Sequence, residues 1–221
     1  MAEPTITFGA AQSFGTVTGW AEQSSDSAVN KDRAVALSRI GNEVASTLYN
    51  QRTEVSTPYV CTSNTNTVPA IIGSLVNSLT LTEIQINTTN TGYATMTLTG
   101  HNHATNAHAD TLQQAAHSIA VAAAFGATDF LGGTAGSDAA VKSGNITISC
   151  DHTDVEDADG DHLIGNNHNG KIVAETVWTG VPSDTAASGW DKVTVSTATN
   201  NQGFLETTVR GEKALALATP S

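Results

Sequence analysis

Basic residues are scarce in this chain. Nine Lys and Arg stand against 21 Asp and Glu in 221 residues, a formal charge of -12. So few cations leave no surface for neutralising phosphates, which excludes binding a duplex through a positive patch. Charge of either sign is low, at 14 % of residues, against about 25 % in ordinary globular domains. Two cysteines, Cys61 and Cys150, cannot build a disulfide framework and show no CxxC spacing. The expectation is two free, partly buried thiols. The longest apolar run, Ile119 to Phe125, falls far short of the ~20 residues that span a bilayer as a helix. The opening Met1-Ala2-Glu3-Pro4 shows neither a basic nor an apolar leader region. That predicts a chain made in a cytoplasm with no membrane partner.

Catalytic signatures are missing too. There is no G-x-S-x-G elbow, no phosphate-binding loop and no G-x-G-x-x-G. Paired acids occur only in one acid-rich stretch, a poor place to hold two carboxylates at fixed separation. No catalytic residues, no enzyme and no cofactor are expected. What is plentiful is threonine, 33 residues, with many Asn, Ser and Gly. Hydrophobic residues still make up 39 %, too many for a disordered acidic tail. The composition predicts a mainly β protein with neutral polar surfaces, suited to packing against copies of itself.

Self-similarity organises the sequence. Gly41-Asn-Glu-Val44-Ala45-Ser-Thr47-Leu48-Tyr49 matches Gly170-Lys-Ile-Val173-Ala174-Glu-Thr176-Val177-Trp178 at an offset of 129. Thr16-Val17-Thr18 resembles Thr147-Ile148-Ser149 at 131, and Gly92 to Gly100 matches Gly203 to Gly211 at 111. The reading is a duplication: a first β unit over 1–100, a joining segment over 101–140, and a second β unit over 141–221. Each unit is a small sandwich or barrel, with Val44, Leu48, Tyr49, Val173, Val177 and Trp178 as equivalent core residues. The polar stretches Glu22 to Arg39 and Asp151 to Asn169 are expected to be extended, mobile hairpin tips. Leu79 to Ile86 and Val193 to Val195 alternate as strands. An extra loop is expected over Ser56 to Ser78, which contains Pro58, Pro69 and Gly73. The spacing of Leu112, Ala115, Ala116, Ile119, Ala122 and Ala123 predicts one helix over Thr111 to Ala124, capped by Asp110 and ended by Gly126.

Two constellations could carry site chemistry. His101-Asn-His103 aims two imidazoles the same way on a strand, as in metal-binding β-barrels, and His108 follows. The equivalent positions of the second copy are Glu212 and Lys213, so the expectation is a polar junction and no metal, with His101, His103 and His108 the only candidates. The second constellation is Asp151, Asp154, Glu156, Asp157, Asp159 and Asp161, six acids in eleven residues without a base. An EF-hand register fails, because Val155 and Asn166 fall where acidic ligands are required. The expectation is a solvated acidic tip that acts through its charge, as an assembly or lumen element.

Val17-Thr-Gly-Trp20, Gly41-Asn-Glu-Val-Ala45 through Tyr49-Asn50, and Gly100-His-Asn-His103 resemble segments of small structural proteins of tailed bacteriophages. Within that group the chain is most similar to tail tube proteins. The resemblance implies a β-sandwich with one flanking helix and a long hairpin. It also implies rings of three or six chains that stack around a lumen, other virion proteins as partners, and a genome that passes without sequence-specific binding. A capsid decoration or fibre protein is one rival reading. A carbohydrate-binding adhesin is another, with Trp20, Tyr49, Trp178 and Trp190 as its stacking residues.

Overall fold

The computed structural model describes residues 12–103, 112–135, 138–157, 162–183, 189–199 and 205–219. Its strands are β1 (Trp20–Glu22), β2 (Asp26–Leu37), β3 (Glu43–Cys61), β4 (Ile71–Ile72), β5 (Leu75–Val76), β6 (Leu79–Thr89), β7 (Thr95–His103), β8 (Ala115–Ala116), β9 (Ala140–Glu156), β10 (His162–Thr179), β11 (Lys192–Thr199) and β12 (Leu205–Ala214). The protein is mainly β and its pairings are antiparallel. One large sheet runs β1-β3-β7-β6-β9-β10-β12-β11, with β2 also beside β3 and β5 beside β6, while β4 and β8 form a small separate pair.

Alternation fixes the buried face of the large sheet. In β9, Ile146, Ile148 and Cys150 are buried, whereas Thr147 and Ser149 between them are half-buried. The ladders set these residues in rows across the strands. Leu98 lies opposite Ile84, Ile84 opposite Ile148, and Ile148 opposite Ile172. The next row runs Tyr59, Met96, Ile86, Ile146, Ala174 and Gly211. Fully burying an Ile or Leu side chain contributes about 1.5–3 kcal/mol, so these rows carry much of the fold. Phe14 and Val17 near the N-terminus, and Val121, Ala124 and Leu131 in the middle, join the same core. The opposite face presents half-buried Thr, Ser, Asn and Gln, the one-sided pattern of an antiparallel sheet with a solvated side.

Pairing order recurs along the chain. The first half is joined β2-β3-β7-β6 and the second β9-β10-β12-β11. Val55, Thr57 and Tyr59 take the ladder positions that Ala174, Thr176 and Trp178 take in the second half, and all six are buried. Gly100 and Gly211 also correspond. A Cβ on Gly100 would lie 2.9 Å from Phe14 and 2.0 Å from the Thr80 carbonyl oxygen; one on Gly211 would lie 3.1 Å from Trp190. The 111-residue offset therefore agrees with the ladders. The 129-residue offset does not: the counterparts of Ala174 and Trp178 lie ten residues further along β3. Val44 is 57 % exposed rather than core, and Tyr49 is only half-buried. Leu48 pairs with Arg33 in the ladder. Val173 and Val177 are half-buried and alternate with buried Ile172, Ala174 and Trp178. A Thr- and Ala-rich strand matches itself at several shifts, and the ladder selects among them.

Three further expectations are corrected. No helix occurs among the described residues. The described part of the stretch expected to be helical, 112–124, is not helical: Ala115–Ala116 pairs with Ile71–Ile72, Gln114 exchanges hydrogen bonds with Ala218, and the His117 amide donates to the Ala70 carbonyl; the expected cap Asp110 and Thr111 lie outside the described residues. Those tertiary partners outweigh a weak local propensity in a segment holding His117, Ser118, Ile119 and Val121. Nor are Glu22 to Arg39 and the described part of Asp151 to Asn169 tips over most of their length. Most of the first is β2, paired with β3, and most of the second is β9 paired with β10. The first true tip is Ser38 to Asn42, where the Gly41 amide donates to the Ser38 carbonyl at a positive φ of 81°. Finally, the loop expected over Ser56 to Ser78 begins only after Cys61, because β3 runs through Ser56 to Cys61; the Pro58 carbonyl accepts from the Gln23 amide.

Candidate metal centre

Strand β6 meets β9 only from Glu83 onward, after a register shift between Leu81 and Glu83. Beyond Ser149 the end of β9 instead lies against the end of β7, side chain to side chain. Period 2 puts His101 and His103 together on β7 and His152 and Asp154 together on β9. The two pairs meet. The His101 and His152 ring centroids are 4.2 Å apart. Asp154 Oδ1 lies 2.7 Å from His152 Nε2 and 3.1 Å from His103 Nε2. One ligand atom from each of these four residues lies within 4.8 Å of every other.

Neighbours hold the group in place. His162, at the start of β10, stacks on His103 at 3.9 Å and brings Nδ1 to 3.4 Å from Asp154 Oδ1. Arg52, opposite His103 in the ladder, reaches Asp154 Oδ2 at 3.8 Å and bonds Glu54 at 2.7 Å. The His103 side chain is 2 % exposed and that of Asp154 9 %. Burial alone would raise the Asp154 pKa. Hydrogen bonds and charge from His103 and His152 outweigh it and hold the carboxyl far below the usual carboxylate range.

Asn167 orients the key imidazole. Its Nδ2 donates to the Gly73 carbonyl at 3.2 Å and to the Gln113 carbonyl at 3.0 Å. Its Oδ1 therefore faces His152 Nδ1, 2.6 Å away, and accepts that ring's proton. His152 Nε2 is left to face Asp154. Gly165 makes room for both: a Cβ there would lie 2.8 Å from His152 and 3.4 Å from Asp154 Oδ1. Beside the group an open cleft of about 530 Å³ is lined by Arg52, Glu54, His101, Asp151 and His168 among others.

The structure thus joins His101 and His103 to His152, Asp154 and His162, which sequence reasoning left apart. His108 lies outside the described residues, as do Asp159 and Asp161. His117 sits elsewhere, where burial lowers its pKa against a hydrogen bond to the Pro69 carbonyl. The acidic stretch is not one solvated tip: Asp151 and Asp157 are exposed, Glu156 is half-buried, and Asp154 is drawn among the histidines. The overlooked signal was His152-Thr-Asp154, a second alternate-residue ligand pair in the other half of the chain. Both thiols are free and buried. Of the aromatics expected of an adhesin, Trp20 and Trp178 are buried in the core. No family model matches this sequence, and no curated protein matches it either.

Proposed function

We propose that the chain is a non-enzymatic structural protein of a phage virion, whose rings of three or six copies stack as a tail tube. The reading treats the two halves as tandem copies of one β unit. The observation that carries it is the pair of open sheet edges. Among the described residues neither β2 nor β11 has a strand on its second side. Within the chain β6 pairs with β9, and β11 and β2 hold the corresponding places in the opposite halves. Adding β11 of one copy to β2 of the next repeats the chain's own central junction.

The register follows. Ile84 lies opposite Ile148, and the same geometry sets Val195 against Val29 of the next copy. Glu212 then meets Arg33 where His101 meets His152, and the charges are complementary. Such a head-to-tail contact closes into a ring or runs on as a fibre, and it removes the exposed edges that otherwise invite aggregation. The β2–β3 arm supports the same reading. Val35, Leu37, Ile40 and Val44 are 42 %, 62 %, 80 % and 57 % exposed at its outer end, apolar surface that a neighbouring copy can cover. The face with half-buried Thr, Ser, Asn and Gln, which also carries Glu83, Lys171, Glu175 and Arg210, becomes a wall of mixed charge past which DNA can slide. The flanking helix of the tail tube family has no counterpart among the described residues, so edges and arm carry the proposal.

Cysteines at Val29 and Val195 test it. Under mild oxidation the double variant should form disulfides between chains, giving a ladder or a closed oligomer on a non-reducing gel. Each single variant should give at most dimers. A double variant that stays monomeric would refute the junction.

A further inference from the structure

We propose that His101, His103, His152 and Asp154 bind one divalent transition metal of the zinc class, clamping the end of β7 to the end of β9. The donor set decides the class. Three imidazoles and one carboxylate suit Zn²⁺, Co²⁺ or Ni²⁺, whereas Ca²⁺ and Mg²⁺ require mostly oxygen. A tetrahedral zinc with bonds of about 2.0–2.2 Å keeps its ligand atoms about 3.3–3.6 Å apart. Asp154 Oδ1 stands 2.7 and 3.1 Å from two of the nitrogens, and these two contacts open slightly on binding. The remaining separations, all within 4.8 Å, close by side-chain rotation.

The orientation of His152 points the same way. With Nδ1 facing Asn167 Oδ1, Nε2 is the ring nitrogen turned toward Asp154, 2.7 Å from its Oδ1. A ligand histidine whose other nitrogen is fixed by a buried amide is the usual outer arrangement of a metal site. Four protein ligands fill the coordination sphere, so the site is structural. It ties the two halves together where β6 no longer lies between β7 and β9.

Cobalt reads the geometry directly. Tag-free protein, treated with EDTA and dialysed, is titrated with CoCl₂ while the visible spectrum is recorded. Expected are intense four-coordinate bands that saturate at one Co²⁺ per chain and are bleached by ZnCl₂. Zn²⁺ at about 100 times its dissociation constant should raise the melting midpoint by roughly 5–10 °C. His152→Gln and Asp154→Asn should each abolish the bands, while His168→Gln, in the cleft beside the site, should leave them unchanged. The wild-type spectrum needs no variant to fold. Absent bands, weak six-coordinate bands, full binding by Asp154→Asn, or stabilisation by Ca²⁺ but not Zn²⁺ would each overturn the proposal; the last outcomes leave an imidazolium–carboxylate cluster or a hard-cation site.

Discussion

Truncating Ile148 to alanine tests whether the two halves share one core. Ile148 is fully buried and lies in register between Ile84 of the first half and Ile172 of the second. The change removes three side-chain carbons from a site whose walls are held by strand pairing on both sides. Collapse of the cavity is therefore limited, and the expected cost is about 2–5 kcal/mol. In a chain of this size that lowers the melting midpoint by roughly 5–15 °C. Tryptophan fluorescence can follow each half. Trp20 is buried in the first, held by a 2.8 Å bond from Nε1 to the Thr67 carbonyl, and Trp178 is buried in the second. In a Trp178→Phe, Trp190→Phe background Trp20 reports alone; in a Trp20→Phe background the second half reports. Urea melts should show both signals moving together to lower denaturant on adding Ile148→Ala. A cost below about 1 kcal/mol, or a shift in the second-half signal with Trp20 unmoved, would refute the shared core.

Other consequences are as specific. Asn167→Ala leaves the His152 N–H and the Gly73 and Gln113 carbonyls without their buried partner; it should cost about 3 kcal/mol, read by urea denaturation, and no change would mean the amide does not position His152. Burial, with the Asp151 charge, pushes the Cys150 thiol up to about 12 from 9.0, and burial, with the Glu22 charge, pushes the Tyr59 phenol up to about 12 from 10.0. Both groups favour the folded state while neutral, so stability should be level below about pH 9 and fall between pH 9 and 12 as the unfolded chain loses those protons first; a melting midpoint unchanged over that range would contradict the burial. Exposed ion pairs such as Arg33–Glu43 and Lys142–Glu206 add little. Oligomers built on strand edges and the apolar arm should therefore persist in about 1 M NaCl, and light scattering that shows dissociation would argue for salt-bridge assembly.

Much of this fold was legible in the sequence because alternation survives wherever one face is buried. Leu79 to Ile86 reads as a strand, and the matched segments Gly92–Gly100 and Gly203–Gly211 put Gly100 and Gly211 opposite buried Val55 and Ala174 in their ladders. Each of those segments is anchored by a glycine under an aromatic ring, which leaves a mark that composition cannot blur. The β2–β3 arm was misread for the opposite reason. It buries little, so Asp26 to Leu37 keeps a polar composition although its backbone pairs with β3 along one edge. The expected helix failed because small residues at helical spacing satisfy an extended strap equally well, and the deciding partners, Ile71, Ile72, Ala70 and Ala218, lie far away in sequence. The histidine group was half visible. His101 and His103 stood out, but their ligating neighbours come from the other half, and only the β6–β9 junction brings His152 and Asp154 to them.

Electron microscopy of the purified protein in negative stain tests the central claim most directly. The account predicts closed rings, or short tubes of stacked rings, with class averages showing six similar units for three chains or twelve for six. Uniform particles the size of single chains at milligram-per-millilitre concentration, with β2 and β11 still open, would contradict it.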